Sequence, residues 1–159
     1  MKRQIFYSFH FKNDVMRVQQ IRNLGVIEDN KPVTPNKWEE IKGGGEAAIE
    51  RWIDENINRS SCVVVLIGSG TCKSRWVQYE IKKAWSDHKG LVGIYIHNLK
   101  DPNYGVCAKG KNPFEQVILK NGKKLSDYIP VYDAGTDAYN WIDKNIEAVV
   151  EKGIQSCRK

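Results

Sequence analysis

The chain has 159 residues, 41% of them hydrophobic and 28% charged, which suits one globular domain with its own core and excludes a disordered chain. Its net charge of +6 favours anionic partners by long-range attraction. Apart from Lys109, Lys111, Lys120, Lys123 and Lys124 the basic residues are scattered. No stripe of Arg and Lys interleaved with aromatics occurs, so nucleic acid is not an expected partner.

Gln4 to Phe9 is a short apolar and aromatic run that predicts a first strand. His10 to Lys12 reads as a turn, with Asn13 or Asp14 capping a helix whose buried stripe is Val15, Val18, Ile21 and Leu24 and which ends at Gly25. Residues 26–45 are polar and rich in Pro, Asn and Gly, a loop with a short second strand near Val26 and Ile27. A second helix is expected from Glu46 to Asn58 around Ile49, Trp52, Ile53 and Ile57. Cys62 to Ile67 is apolar throughout, as a central parallel strand must be, and Gly68-Ser69-Gly70 breaks it.

A third helix runs from Ser74 to about Lys89, with Val77, Ile81, Ala84 and Trp85 on its core face. Leu91 to His97 predicts another strand. Residues 98–127 form a polar insertion, and an insertion of this length inside a compact domain points to function. Tyr128 to Tyr132 is a last strand, placed at an edge by Pro130. A final helix through Val150 turns Trp141, Ile142, Ile146 and Val149 inward. The pattern predicts one domain over residues 1–153 with a frayed tail over 154–159. Strand and helix alternate, so the fold class is α/β, with a central parallel sheet of about five strands and helices on both faces.

Cys62, Cys72, Cys107 and Cys157 form no C-x-x-C pair and have no His at metal-ligand spacing. They read as reduced thiols, with no metal expected. The apolar run after Met1-Lys2-Arg3 is too short for a signal peptide, and no stretch approaches the ~20 apolar residues of a membrane helix. The sequence therefore predicts a cytoplasmic protein without membrane contact.

Ligands of such sheets bind at the carboxyl ends of the strands. That directs attention to Ser8 to His10, to Gly68 and Ser69, and to His97 onward. Trp76 and Glu80 stand one turn apart on the third helix, which starts at that same edge. A carboxylate beside an aromatic bordering a cleft is a candidate functional pair. By spacing alone an exposed glutamate paired with Lys83 or Lys73 is the favoured reading.

The run Ser74-Arg75-Trp76-Val77-Gln78-Tyr79-Glu80-Ile81 resembles the TIR-domain signature, in which the tryptophan is followed by a cysteine where Val77 stands. It follows a strand and turn, Leu66-Ile67-Gly68-Ser69, as in those domains, and Ile5 to His10 with Asp14 is similar to their first strand and loop. Arg22-Asn23, Trp38-Glu39 and Lys109-Gly110-Lys111-Asn112-Pro113-Phe114 carry a closer similarity to the TIR-like proteins of the bacterial Thoeris antiphage system, over residues 3–118. The resemblance implies a flavodoxin-like three-layer fold. It also implies cleavage of NAD+ at the nicotinamide–ribose bond, NAD+ being substrate rather than cofactor. Glu80 matches the family's catalytic glutamate. A carboxylate there would stabilise the oxocarbenium-like state, and the pyridinium leaves as neutral nicotinamide without a general acid. Capture of the ribose by water gives ADP-ribose; capture by the adenine gives a cyclic isomer that reaches a downstream effector, and some relatives attach another small molecule. Self-association through TIR surfaces and triggering by a phage protein belong to the same expectation.

Substrate contacts are expected from Ser8 and Ser69 as hydrogen-bond donors, from Phe9, Trp38 and Trp76 as stacking surfaces, and from His10. Asn112 joins them through the family-like Asn-Pro-Phe piece, without an assigned chemistry. Two other functions fit the residues: a non-catalytic TIR interaction or nucleotide-binding module, which has no need of Glu80, and a nucleoside deoxyribosyltransferase-like enzyme, which also sets a carboxylate at a ribose carbon. A phosphate-cradling Ser/Thr-Gly loop and an acidic Mg2+ pair are both missing after the first strand, which disfavours flavin and phospho-receiver proteins.

Overall fold

The computed structural model describes residues 4–23 and 40–157. Four parallel strands lie side by side in chain order: β1 Ile5–Ser8, β2 Cys62–Ile67, β3 Gly90–Tyr95 and β4 Val131–Asp133. Around them pack α1 Phe11–Asn23, α2 Gly45–Arg59, α3 Arg75–Ser86 and α4 Ala138–Cys157. Four of the roughly five expected strands are thus seen among the described residues. The strand expected near Val26 and Ile27, together with Leu24, Gly25 and Trp38, lies outside them.

β2 explains the layers. It is buried from end to end, and its side chains alternate between two cores. Cys62, Val64 and Leu66 meet Val18 and Ile21 of α1 and Ile142, Ile146 and Val150 of α4. Val63, Val65 and Ile67 meet Ile53 and Ile57 of α2 and Val77, Ile81 and Ala84 of α3. A strand with helices on both sides cannot carry a polar face, which is why the sequence there is a run of valines. No described helix is long and apolar enough to cross a membrane. Cys62, Cys72 and Cys107 are free thiols.

Several local expectations are corrected. α1 starts at Phe11, so Asp14 sits in its first turn rather than capping it. Asp14 is fully buried and pairs with Arg17 at 2.9 Å. Arg17 also donates to the carbonyls of Leu99 and Gly105, which ties α1 to the segment after β3. β3 ends at Tyr95, short of His97. Trp85 is 39% exposed and lies against Tyr128, ring centres 6.0 Å apart, rather than in the core. The tail is not frayed where expected: α4 continues to Cys157 because Ile154 is buried against Gly90.

The 98–127 insertion is packed, not open. It makes two 3-10 turns, Pro113–Gln116 and Leu125–Asp127, and buries Phe114 and Leu125 in the α2–α3 core. Gly110 lies so close to the Gly68 carbonyl that a Cβ there would overlap it. Gly68 in turn faces the Asp14 carboxylate, where again no side chain fits.

Candidate active site

Ser8 is the last residue of β1 and is fully buried. Its hydroxyl donates to Oε1 of Glu80 across 2.7 Å. Glu80 comes from the middle of α3, whose start is fixed by Ser74 accepting from the Val77 N–H at 3.3 Å. The Val77, Ile81 and Ala84 stripe seats α3 on the sheet and sets Glu80 towards the end of β1. Lys83, one possible partner by spacing, instead pairs with Asp87 at 2.8 Å.

Glu80 is 6% exposed and lines a cavity of about 420 Å³ at the carboxyl end of β1. The size suits a small-molecule pocket. Burial pushes its carboxyl up from 4.5 to about 8, against the Ser8 hydrogen bond, which favours the carboxylate. The apolar wall holds Phe6, Phe9, Phe11, Ile49, Trp52 and Trp76. Trp76 is half-buried, set edge-on to Tyr79 with the Arg75 guanidinium 4.8 Å from its ring centre. Four exposed cations, Lys12, Lys42, Lys73 and Arg75, line the same cavity. Arg75 also pairs with Glu46 at 2.6 Å on the surface.

Of the residues singled out from sequence, Phe9, His10, Trp76 and Glu80 line this cavity, and Ser8 meets it through Glu80. Ser69 is exposed on the turn after β2 and does not line it. Asn112 does not line it either: its side chain accepts from the Phe114 N–H at 2.9 Å and so caps a 3-10 turn. Trp38 lies outside the described residues. No lining residue comes from the 98–127 insertion.

Sequence reasoning missed the cationic rim and the part played by Trp52. Trp52 reads as core from its spacing with Ile49 and Ile53. Lys73 and Arg75 flank the helix cap next to the signature, and that adjacency was the available signal. Among the described residues no three His, Cys, Asp or Glu side chains converge as a metal site.

Two buried atoms near the cavity are unsatisfied: Nδ1 of His10 and Oδ2 of Asp14. Asp14 lies one helical turn after His10, whose carbonyl accepts from the Asp14 N–H at 3.0 Å.

Comparison with known proteins gives two results. The family described as Thoeris protein ThsB, TIR-like domain, matches residues 6–101. A Bacillus cereus (strain MSX-D12) protein named "Putative cyclic ADP-D-ribose synthase ThsB1" is 34% identical over 136 residues, covering 80% of this chain and 71% of that protein.

Proposed function

The chain belongs to the family of the Thoeris protein ThsB with its TIR-like domain, and on that footing we propose that it is an NAD+ glycohydrolase or cyclase. It cleaves the nicotinamide–ribose bond and releases a cyclic ADP-ribose-type or ADP-ribose-conjugate signal in antiphage defence. The observation that carries this reading is the Glu80 carboxyl, buried at the base of a cavity walled by aromatic rings and rimmed by cations.

Each part has a task in that reaction. As the C1′–N bond lengthens, its electron pair leaves with nicotinamide and positive charge grows on the ribose. The Glu80 carboxylate faces that charge in a site where burial leaves it little competing water. Ser8 holds the carboxylate by one oxygen and leaves the other for substrate. Nicotinamide departs neutral, so one carboxyl group suffices. Trp52 and Trp76 offer faces on which a base can stack. Lys12, Lys73 and Arg75, together with the positive end of α3, suit the diphosphate. Water captures the ribose to give ADP-ribose, or the adenine of the same molecule captures it to give the cyclic product. That product diffuses to an effector; self-association through TIR surfaces and a phage protein as trigger complete the proposal.

The test is to incubate the protein with NAD+ and follow nicotinamide and ADP-ribose products by mass spectrometry. Glu80→Gln is expected to abolish turnover while circular dichroism stays unchanged. A Glu80→Gln protein that turns over NAD+ at the parent rate overturns the mechanism. Nucleosides and free bases offered in parallel distinguish a deoxyribosyl transfer.

A further inference from the structure

Nδ1 of His10 and Oδ2 of Asp14 are both buried, both without a partner, and stand on one turn at the start of α1. Unsatisfied buried polar atoms are costly, and two that stand one helical turn apart call for one explanation. The surroundings restrict what it can be. The other Asp14 oxygen is taken by Arg17 at 2.9 Å, and Arg17 is itself held by the carbonyls of Leu99 and Gly105. Gly68 closes the remaining side of the carboxylate with backbone alone. Asp14 therefore cannot turn to solvent: its free oxygen is enclosed against Gly68, and the carboxyl stays close enough to His10 to feel its charge. His10 lines the cavity that Glu80 lines.

We propose that Asp14 is a positioning residue for His10: Oδ2 accepts a hydrogen bond relayed from Nδ1–H through one buried water, and so fixes the tautomer whose bare Nε2 faces the cavity and accepts a hydrogen bond from a ribose hydroxyl. Which imidazole nitrogen is bare is set by the bond the other one makes. The side chains lining this cavity are otherwise rich in donors: Lys12, Lys42, Lys73 and Arg75 carry none but donor groups. Glu80 is the acceptor at one end, occupied on one oxygen by Ser8. His10 supplies an acceptor for the sugar on another element. The ribose part of this inference rests on the NAD+ reading above; the tautomer does not.

Nitrogen-15 correlation spectra of the imidazoles test it on the intact protein. The chain has three histidines, and His10→Phe assigns the signal. The expected result is a His10 with its proton on Nδ1 in the parent, moving to the ordinary Nε2–H form in Asp14→Asn. A parent His10 with its proton on Nε2 overturns the proposal, whether or not Asp14→Asn folds. Titration with ADP-ribose tests the ribose contact without any turnover. Asp14→Asn and His10→Phe are each expected to weaken it about tenfold, the scale of one hydrogen bond. His10→Gln, which keeps an acceptor, is expected to recover most of that loss. Equal binding by parent and His10→Phe overturns the ribose assignment. Failure of the NAD+ reading would show separately, as a parent that binds ADP-ribose and leaves NAD+ intact.

Discussion

The hydroxyl of Ser8 lies 2.7 Å from Oε1 of Glu80, joining the last residue of β1 to the middle of α3 inside the protein. This bond is what favours the ionised form of a carboxyl that burial opposes. Ser8→Ala removes the donor and leaves the oxygen unsatisfied. The expected result is a fall in kcat/KM for NAD+ at pH 7 of about 10- to 100-fold, the worth of a hydrogen bond to a charged group. Initial rates of nicotinamide release check it, and an unchanged rate would reduce the bond to a structural contact.

The pH dependence follows from the same pair. In the proposed reaction Glu80 acts as the carboxylate, and burial raises its value in the free protein to about 8. Since kcat/KM reports the free enzyme, it is expected to climb about tenfold per pH unit below that value and to level off above it. A flat profile between pH 6 and pH 9 would be incompatible with Glu80 ionising before catalysis.

Stability should move the opposite way. Between 4.5, where the unfolded carboxyl titrates, and about 8, the folded protein keeps a proton that the unfolded chain has lost. The folded state binds more protons there, so this site's contribution to stability falls as pH rises through that window. Glu80→Gln abolishes the effect. Its Tm advantage over the parent is expected to be larger at pH 9 than at pH 5, by about 2–4 °C for each kcal/mol of difference. Thermal melts at the two pH values are sufficient.

The cationic rim predicts a binding effect without a chemical one. Lys73→Ala and Arg75→Ala are each expected to raise KM for NAD+ roughly two- to fivefold, as befits exposed charges. The effect should fade in 1 M salt as screening shortens the reach of these groups. A loss of kcat instead would place them at the reacting atoms.

Gly110→Ala puts a methyl group into the Gly68 carbonyl. An expected cost of about 1–3 kcal/mol, the usual penalty of overpacking, can be read from urea unfolding.

The sequence made the sheet legible because β2 is apolar on both faces and the helices keep their buried stripes. Glu80 was singled out by the resemblance of its segment to the TIR signature, since spacing from Trp76 alone favoured an exposed glutamate, and the structure places it in the cavity. Trp85 was not legible, because helical spacing places it with Val77, Ile81 and Ala84 while the buried stripe of α3 ends at Ala84 and the Trp85 ring lies partly exposed against Tyr128. Nor was the rim: Lys12, Lys42 and Lys73 lie on three segments that meet only in the fold. Asn112 matched a family-like motif, and its observed bond is a turn cap, a local need that motif matching does not separate from chemistry. Ser69 sits at the expected sheet edge but on the exposed side of its turn.

The 98–127 insertion grips the core through Phe114 and Leu125, yet none of it borders the cavity. Its tip at Gly122 is exposed and already in the left-handed backbone region, with φ of +82°. Anchoring and the cavity lining are thereby housed on separate parts of the chain. A fluorophore or affinity handle attached beside Gly122, for instance at Asn121, would let the protein be tracked or captured with the cavity left unobstructed.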